Sequence, residues 1–264
     1  MSLTTMGTSL NPTASQPVVM GGGPEALFAV TVFDDGVRAE MTTGPWSSGA
    51  GSLGVLADNV LGYALIVDAP AGLWSVSAEI SLDFFRPPPE DGTTLRAEGR
   101  TVHATTATGL AEGSIFDQQG RLVSRCRQWG SYVRLSGPAP EGRPTATPPD
   151  GLVAKIRDQV TAGEGRAELR VDVGDDLINP IGTLHGGISL WLAELTAGAA
   201  VARHGFVPAS LTATYPRPLP HGEVATFRAE VVTAGRRMAV TRVTGANRAG
   251  KPCVVATVHH HIPG

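Results

Sequence analysis

The segment at residues 179–187, Asn-Pro-Ile-Gly-Thr-Leu-His-Gly-Gly, combines residue types that can act on a carbonyl group. His185 precedes two glycines, Gly186 and Gly187, which open an apolar run of helical length. The first N–H groups of a helix have no partner within the helix, and glycine leaves them uncovered. Such groups can stabilise the negative charge that develops on a carbonyl oxygen. The segment therefore predicts a helix N-terminus that polarises a carbonyl group.

An acid, Glu194, lies within the same apolar run. A buried carboxylate is unfavourable unless it has a partner or a task. Gly186 and Glu194 would lie about 12 Å apart on one helix, because each residue adds about 1.5 Å. One carbonyl carbon cannot contact both. We therefore expect the glycines and the reacting carboxylate to come from two antiparallel helices that lie side by side.

The chain contains this arrangement twice. Aligning Asp58 with Glu194, an offset of 136 residues, places Gly49-Ala50-Gly51 on His185-Gly186-Gly187. Later turns and strands follow in the same order in both halves, at offsets near 130 residues. Such an internal repeat indicates a duplicated domain. The second helix of the pair would then come from the other half of the chain.

The composition limits the classes of function. A chain of 264 residues suits one large or two ordinary domains. A net charge of −3 gives no electrostatic surface for nucleic acid or an anionic membrane. We expect no bilayer-spanning run and no secretion signal. The two cysteines, Cys126 and Cys253, each lie in a strand-like run of a different half, which favours free thiols and a reducing, cytoplasmic compartment.

Proline- and glycine-rich segments divide the chain. Residues 1–23 are rich in Ser, Thr, Pro and Gly, and we predict a disordered leader. Residues 136–149 form a Pro-rich linker. The predicted domains are residues 24–135 and residues 150–264.

Each half combines one apolar helix with several alternating strands. The helices are predicted near Ser52–Val67 and over Gly186–Ala202, because these runs are apolar on nearly every face and longer than strands. Alternating runs separated by turn residues follow each helix. The predicted fold class is α+β, with a long antiparallel sheet wrapped around one buried helix in each half.

The second half resembles the hotdog superfamily, and within it the acyl-CoA thioesterases of the phenylacetate-pathway type. The resemblance is carried by Asn179, Gly182, the run Leu184-His185-Gly186-Gly187, and the acid nine positions after His185. The first half resembles the fold but departs from the motif, with Thr43 in the place of Asn and Gly49 in the place of His. The resemblance implies a tandem, or double, hotdog in which one chain supplies what is usually a dimer.

Two composite sites follow from the antiparallel helix pair and the resemblance. Site one combines Asp58 with Asn179, His185, Gly186 and Gly187; site two combines Glu194 with Gly49, Ala50 and Gly51. The resemblance implies that a Gly186 or Gly187 N–H binds the thioester oxygen, that Asp58 attacks the carbonyl or activates water, and that Asn179 positions water or substrate. Since only site one holds the full set, we expect it to be the working site.

Simpler roles stay open for each of these residues. Asp58 could lie on a hydrated helix face, and Glu194 could be a core acid paired with Arg203. His185 could cap the turn rather than act as a base. Gly186 and Gly187 could serve close packing alone.

The resemblance implies an acyl-CoA substrate and hydrolysis of its thioester. Arg86 and Arg217, in matching Arg-Pro loops, are candidates to bind the CoA phosphates. We expect no cofactor besides the CoA of the substrate and no metal, because the His259–His261 run lacks acid or Cys companions and is typical of a surface strand. Fused hotdog domains also suggest a homo-oligomer.

Two other functions remain open. A protein that binds acyl-CoA without turnover would also fit, because the first half lacks the Asn and His of the motif. An enoyl-CoA hydratase is less favoured, since the acid and the histidine around Asn179-Pro180 are spaced differently from that signature. The acyl chain length and its aromatic character do not follow from the sequence.

Overall fold

The computed structural model describes residues 17–18, 23–33, 35–44, 49–89, 91–135, 151–201 and 205–263. Their helices are α1 (Gly23–Leu27), α2 (Leu53–Val67), α3 (Leu152–Arg157) and α4 (Gly186–Val201). Short 3-10 turns at Ala50–Ser52 and Asp175–Leu177 precede the two long helices.

Thirteen strands are formed by these residues. Those of the first half are β1 (Pro17–Val18), β2 (Val30–Phe33), β3 (Arg38–Thr42), β4 (Trp74–Phe84), β5 (Thr94–Ala104), β6 (Thr108–Phe116) and β7 (Leu122–Val133). Those of the second half are β8 (Thr161–Gly163), β9 (Arg166–Asp172), β10 (Val207–Thr214), β11 (Val224–Ala234), β12 (Met238–Ala246) and β13 (Pro252–His261).

The strands form one antiparallel sheet in the order β1-β2-β3-β5-β6-β7-β4-β10-β13-β12-β11-β9-β8. The two halves meet where β4 pairs with β10, and Ser81 lies opposite Thr212 in that pair. These two residues are 131 positions apart, which is the offset of the repeat. Each half therefore repeats the other about a local two-fold axis between β4 and β10.

The pattern of burial along the strands explains why the sheet covers the helices. On β7, Cys126 and Gln128 are buried while Arg125 and Arg127 are exposed, which is the alternation of a sheet with one covered face. The covered face packs on α2 and α4, whose side chains supply much of the apolar core. Because α2 and α4 are buried on most sides, their sequences are apolar on nearly every face, which is the pattern that predicted them.

The two long helices run antiparallel and touch at glycines. Gly51 lies against Glu194, and Gly54 lies against Leu190 and Gly187. A Cβ atom at Gly187 would lie only 2.5 Å from the Gly54 carbonyl oxygen, so a side chain there would force the helices apart. Close contact between the helices therefore depends on these glycines.

The predicted α+β architecture is confirmed, with differences in the predicted leader and in one helix. In the predicted leader, residues 17–18 pair with β2 and Gly23 begins α1, whereas its other residues and the linker 136–149 lie outside the described residues. One segment, Ala50–Val67, does have the length and composition of a membrane span, contrary to expectation. It is 78% buried inside the fold, as a core helix is.

Candidate active site

Antiparallel pairing of α2 and α4 brings Asp58 to the N-terminus of α4. The Gly187 N–H donates to Asp58 Oδ2 over 2.8 Å. A Cβ atom at Gly186 would lie 2.8 Å from the same oxygen, so only glycine leaves room for the carboxylate. The structure thus brings Asp58, Gly186 and Gly187 together from opposite halves of the chain, as the spacing argument predicted.

His185 also contacts this carboxylate. Its Nδ1 atom lies 3.1 Å from Asp58 Oδ2, and its Nε2 atom lies 3.6 Å from Glu25 Oε1. Burial alone would lower the pKa of His185, but the Asp58 and Glu25 carboxylates outweigh burial and raise it. The imidazole therefore favours its protonated form and acts as a partner of Asp58.

Asn179 stabilises the loop before α4. Its Oδ1 accepts from the Thr183 N–H over 3.0 Å, and its Nδ2 donates to Thr183 Oγ1 over 3.0 Å. The loop is also held by the His185 N–H, which donates to the Leu177 carbonyl. Asn179 lines the same cavity as Asp58. It therefore forms part of the wall of site one and stabilises the loop that precedes His185.

The N–H groups at the start of α4 are used differently. The Gly187 N–H donates to Asp58 Oδ2 and also lies 3.1 Å from His185 Nδ1, whereas the Gly186 N–H has no acceptor among the residues in the described ranges. The Gly186 carbonyl accepts from Tyr215 Oη over 3.0 Å, which fixes the first turn of the helix. Gly186 is therefore the glycine whose N–H remains available to a ligand.

Two residues that sequence reasoning missed extend the site. Ser77 Oγ, on β4, donates to Asp58 Oδ1 over 3.3 Å, and Gln128 Nε2, on β7, donates to Ser77 Oγ over 3.1 Å. Gln128 Oε1 is buried without a hydrogen-bond partner in the described structure. No local motif marks these residues, because the register of β4 and β7 brings them together from 51 positions apart.

A cavity of about 410 Å³ opens beside these groups. Its walls include Asp58, Ser77, Gln128, His185 and Gly186. Apolar wall residues are Ile66, Trp74, Val76, Val133 and Leu184. A concave, mostly apolar space with a few convergent polar groups is typical of a small-molecule site.

The two predicted phosphate-binding arginines differ in position. Arg217 lines the cavity, and its Nη1 donates to the Pro252 carbonyl over 2.9 Å. Arg86 is exposed and is not among the residues that line the cavity. The structure therefore brings Arg217, but not Arg86, to site one.

Site two has a different environment. Glu194 lies against Gly49 and Gly51, and the Gly51 N–H hydrogen-bonds to its carboxylate. Burial raises the pKa of Glu194 to about 7, although the Gly51 hydrogen bond and the charge of Arg157 act in the opposite direction. Glu194 does not line the cavity at site one. Arg203, its suggested partner, lies outside the described residues.

The histidines near the C-terminus alternate along β13. His259 and His261 are exposed, whereas His260 is buried and near Thr241. Within the described ranges, no group of three or more His, Cys, Asp or Glu side chains could hold a metal ion.

Comparisons with known families match both halves of the chain. Residues 30–132 match the acyl-CoA thioesterase C-terminal domain, and residues 181–254 match the thioesterase superfamily. The two matched ranges together cover about two thirds of the chain and include Asp58, Gly186 and Glu194. A comparison with curated proteins found no match.

Solved structures share the fold over most of their length at low sequence identity. The TesB protein of Mycobacterium avium subspecies paratuberculosis is 14% identical, with 91% of this chain and 98% of that chain covered at a TM-score of 0.64. The acyl-CoA thioesterase II TesB2 of Mycobacterium marinum is 12% identical, with 91% and 96% covered at a TM-score of 0.62. An acyl-ACP thioesterase of Bacteroides thetaiotaomicron is 8% identical, with 85% and 97% covered at a TM-score of 0.56. Each half of the chain therefore matches a thioesterase family domain, and the chain is a thioester hydrolase with a double-hotdog fold.

Proposed function

We propose that this chain hydrolyses acyl-CoA thioesters at site one, releasing a free acid and CoA. The observation that carries the proposal is the contact between the Asp58 carboxylate and the N-terminus of α4 at the wall of a cavity. The match of residues 30–132 to an acyl-CoA thioesterase domain supports CoA as the thiol.

The start of α4 would polarise the thioester carbonyl. The free Gly186 N–H can donate to the carbonyl oxygen, and the partial positive charge of the helix N-terminus adds to this effect. Both interactions strengthen as the oxygen becomes negative in the tetrahedral intermediate. Tyr215 holds this turn in place through the Gly186 carbonyl.

Asp58 would act as a general base on water. Its Oδ2 is fixed by the Gly187 N–H, and its Oδ1 is fixed by Ser77, which Gln128 orients in turn. Asp58 takes a proton from the attacking water, and the carbon–sulfur bond breaks as the intermediate collapses. The same proton then passes to the CoA thiolate, so that Asp58 is regenerated.

The walls of the cavity suggest where the two ends of the substrate lie. The exposed guanidinium of Arg217 can pair with a CoA phosphate at the cavity wall. Ile66, Trp74 and Val133 offer apolar surface to the acyl chain.

Thiol release from a panel of short, long and aryl acyl-CoAs tests the function. We expect one CoA thiol and one free acid for each thioester consumed. Loss of enoyl absorbance without thiol release would instead identify a hydratase. Saturable binding of acyl-CoA with neither change would identify a binding protein and would refute hydrolysis.

A single turnover in ¹⁸O-labelled water tests the role of Asp58. General-base catalysis predicts that the acid formed in the first turnover carries labelled oxygen. Unlabelled acid together with labelled Asp58 would show that the carboxylate attacks the thioester directly.

A further inference from the structure

A second carboxylate lies beside His185. Glu25 Oε1 is 3.6 Å from His185 Nε2, on the opposite side of the ring from Asp58, whose Oδ2 is 3.1 Å from His185 Nδ1. The side chains of Glu25 and His185 are only 11% and 8% exposed, so solvent screens their charges weakly. These residues form a carboxylate–imidazole–carboxylate arrangement, which we term the Glu25–His185–Asp58 row.

Glu25 comes from a helix outside both matched family ranges. α1 precedes residue 30, where the first match begins. Its first residue, Gly23, lies close to the Asp175 and Ile178 carbonyl groups of the second half. Asn59 also hydrogen-bonds to the Glu25 carboxylate and helps to stabilise its charge. Glu25 is therefore held in place by contacts with both halves.

The second half of the repeat offers a comparison for Glu25. In the second half, α3 precedes β8 as α1 precedes β2, and at site two Gly49 stands in the place of His185. Arg157 lies close enough to Glu194 to favour its charged form. Site one thus has an imidazole and a second acid, whereas the described residues around site two place Arg157 near Glu194. This difference suggests that the charge of Glu25 serves the imidazole.

We propose that Glu25 is a positioning residue that keeps His185 protonated, so that the imidazolium donates to Asp58 and orients its carboxylate. The proposal rests on the proposed role of Asp58 in hydrolysis. With both ring nitrogens protonated, Nε2–H faces Glu25 and Nδ1–H donates to Asp58 Oδ2. The Gly187 N–H, which lies 3.1 Å from Nδ1 and 2.8 Å from Asp58 Oδ2, then donates to Asp58 alone. Loss of the Nδ1 proton would remove this donor and let Nδ1 accept from the Gly187 N–H, which would then be shared between the imidazole and Asp58.

The charges around His185 agree with this role. Burial lowers the pKa of His185, but Asp58 and Glu25 together raise it above its ordinary value. Among the described residues, the other titratable groups beside these carboxylates are Tyr63 and Tyr215, whose pKa values are raised by burial and by the nearby acids. Both phenols therefore stay neutral. The negative charges next to the His185 imidazole come from the carboxylates of Asp58 and Glu25.

The pH dependence of Glu25→Gln tests the proposal in the full chain. We expect the alkaline limb of kcat/KM to move to lower pH by about one unit, because one neighbouring charge is removed. At pH values above the alkaline limb, kcat/KM would be about ten-fold lower than in the wild type, and at pH values below the limb it would stay within about two-fold of the wild type. Arg157→Gln, which removes a charge from α3 near site two, should keep the wild-type profile. A loss that is equal at every pH would show a merely structural role and overturn the proposal.

An NMR titration of the His185 imidazole tests it without any turnover. Glu25→Gln should lower the titration midpoint by about one unit, whereas Glu25→Asp, which keeps the charge, should restore much of it. An unchanged midpoint in Glu25→Gln would refute the proposal. If Glu25→Gln does not fold, the His185 imidazole is titrated in Glu25→Asp instead. A midpoint equal to that of the wild type supports the proposal, and a midpoint below the ordinary value for histidine refutes it. Since this readout needs no hydrolysis, failure of the proposed function would be seen separately, as absence of thiol release.

Discussion

Asp58 and Glu194 occupy equivalent positions of the repeat, but their neighbours differ. Asp58 accepts hydrogen bonds from Gly187 and Ser77 and lines a cavity. Glu194 is buried beside Gly51, and burial raises its pKa to about 7. Among the described residues, Asp58 thus combines two hydrogen-bond donors with a neighbouring cavity, whereas Glu194 does not line that cavity.

Glu194 should make stability depend on pH near neutrality. Its folded pKa of about 7 lies above the ordinary value of 4.5, so the folded state holds the proton more tightly. Its contribution is fully present below pH 4.5 and is lost as pH rises to about 7, a change of at most about 3 kcal/mol. Urea unfolding of Glu194→Gln between pH 5 and 8 should show a flatter profile than the wild type. Identical profiles would contradict the burial effect.

Ser77→Ala should lower kcat about ten-fold with little change in KM, because the lost hydrogen bond orients Asp58 rather than the substrate. Steady-state kinetics measures this change. Ser131→Ala on β7, which is not part of the cavity wall, is the matched control. Equal effects of the two changes would show that Ser77 does not support Asp58.

At the scale of elements, the contact between α2 and α4 determines both sites. Their antiparallel pairing follows from the spacing of Gly186 and Glu194, so the sequence alone could predict it. By contrast, α1 has only five residues and shows no helical period, so Glu25 could not be recognised. Ser77 and Gln128 also escaped prediction, because only strand register brings them to Asp58.

Gly187→Ala should destabilise the protein by about 1–3 kcal/mol or more, because its methyl group would overlap the Gly54 carbonyl. Thermal unfolding would measure the loss. Gly62→Ala, in α2, is the control, since a Cβ atom there meets nothing within 4 Å. It should stabilise the helix by about 0.5–1 kcal/mol. Equal melting temperatures for Gly187→Ala and the wild type would show that close helix packing does not need the glycine.

At the scale of the whole molecule, β4 and β10 join the halves into one sheet and fix one helix against the other. Duplication was readable in the sequence because turns, acids and glycines recur in order. The difference between the two sites was readable only in part. The sequence shows that Gly49 stands in the place of the histidine. The position of Arg157 near Glu194 and the cavity beside Asp58 could not be predicted, because both depend on how the elements pack in three dimensions.

Each chain should bind one acyl-CoA, because the cavity at site one is lined by Asp58 and not by Glu194. Calorimetry with a non-hydrolysable acyl-CoA thioether should give a stoichiometry of one. Arg217→Ala should weaken this binding about ten-fold through loss of a phosphate contact, and Arg86→Ala should weaken it less. A stoichiometry of two, or a larger effect of Arg86→Ala, would contradict this assignment.

A comparison of kcat/KM for Asp58→Asn and Glu194→Gln tests the central claim most directly. We expect Asp58→Asn to lower kcat/KM at least about 1000-fold, while Glu194→Gln stays within about three-fold of the wild type. The reverse ranking would move catalysis to site two. Equally small effects of both changes would contradict carboxylate catalysis between the two helices.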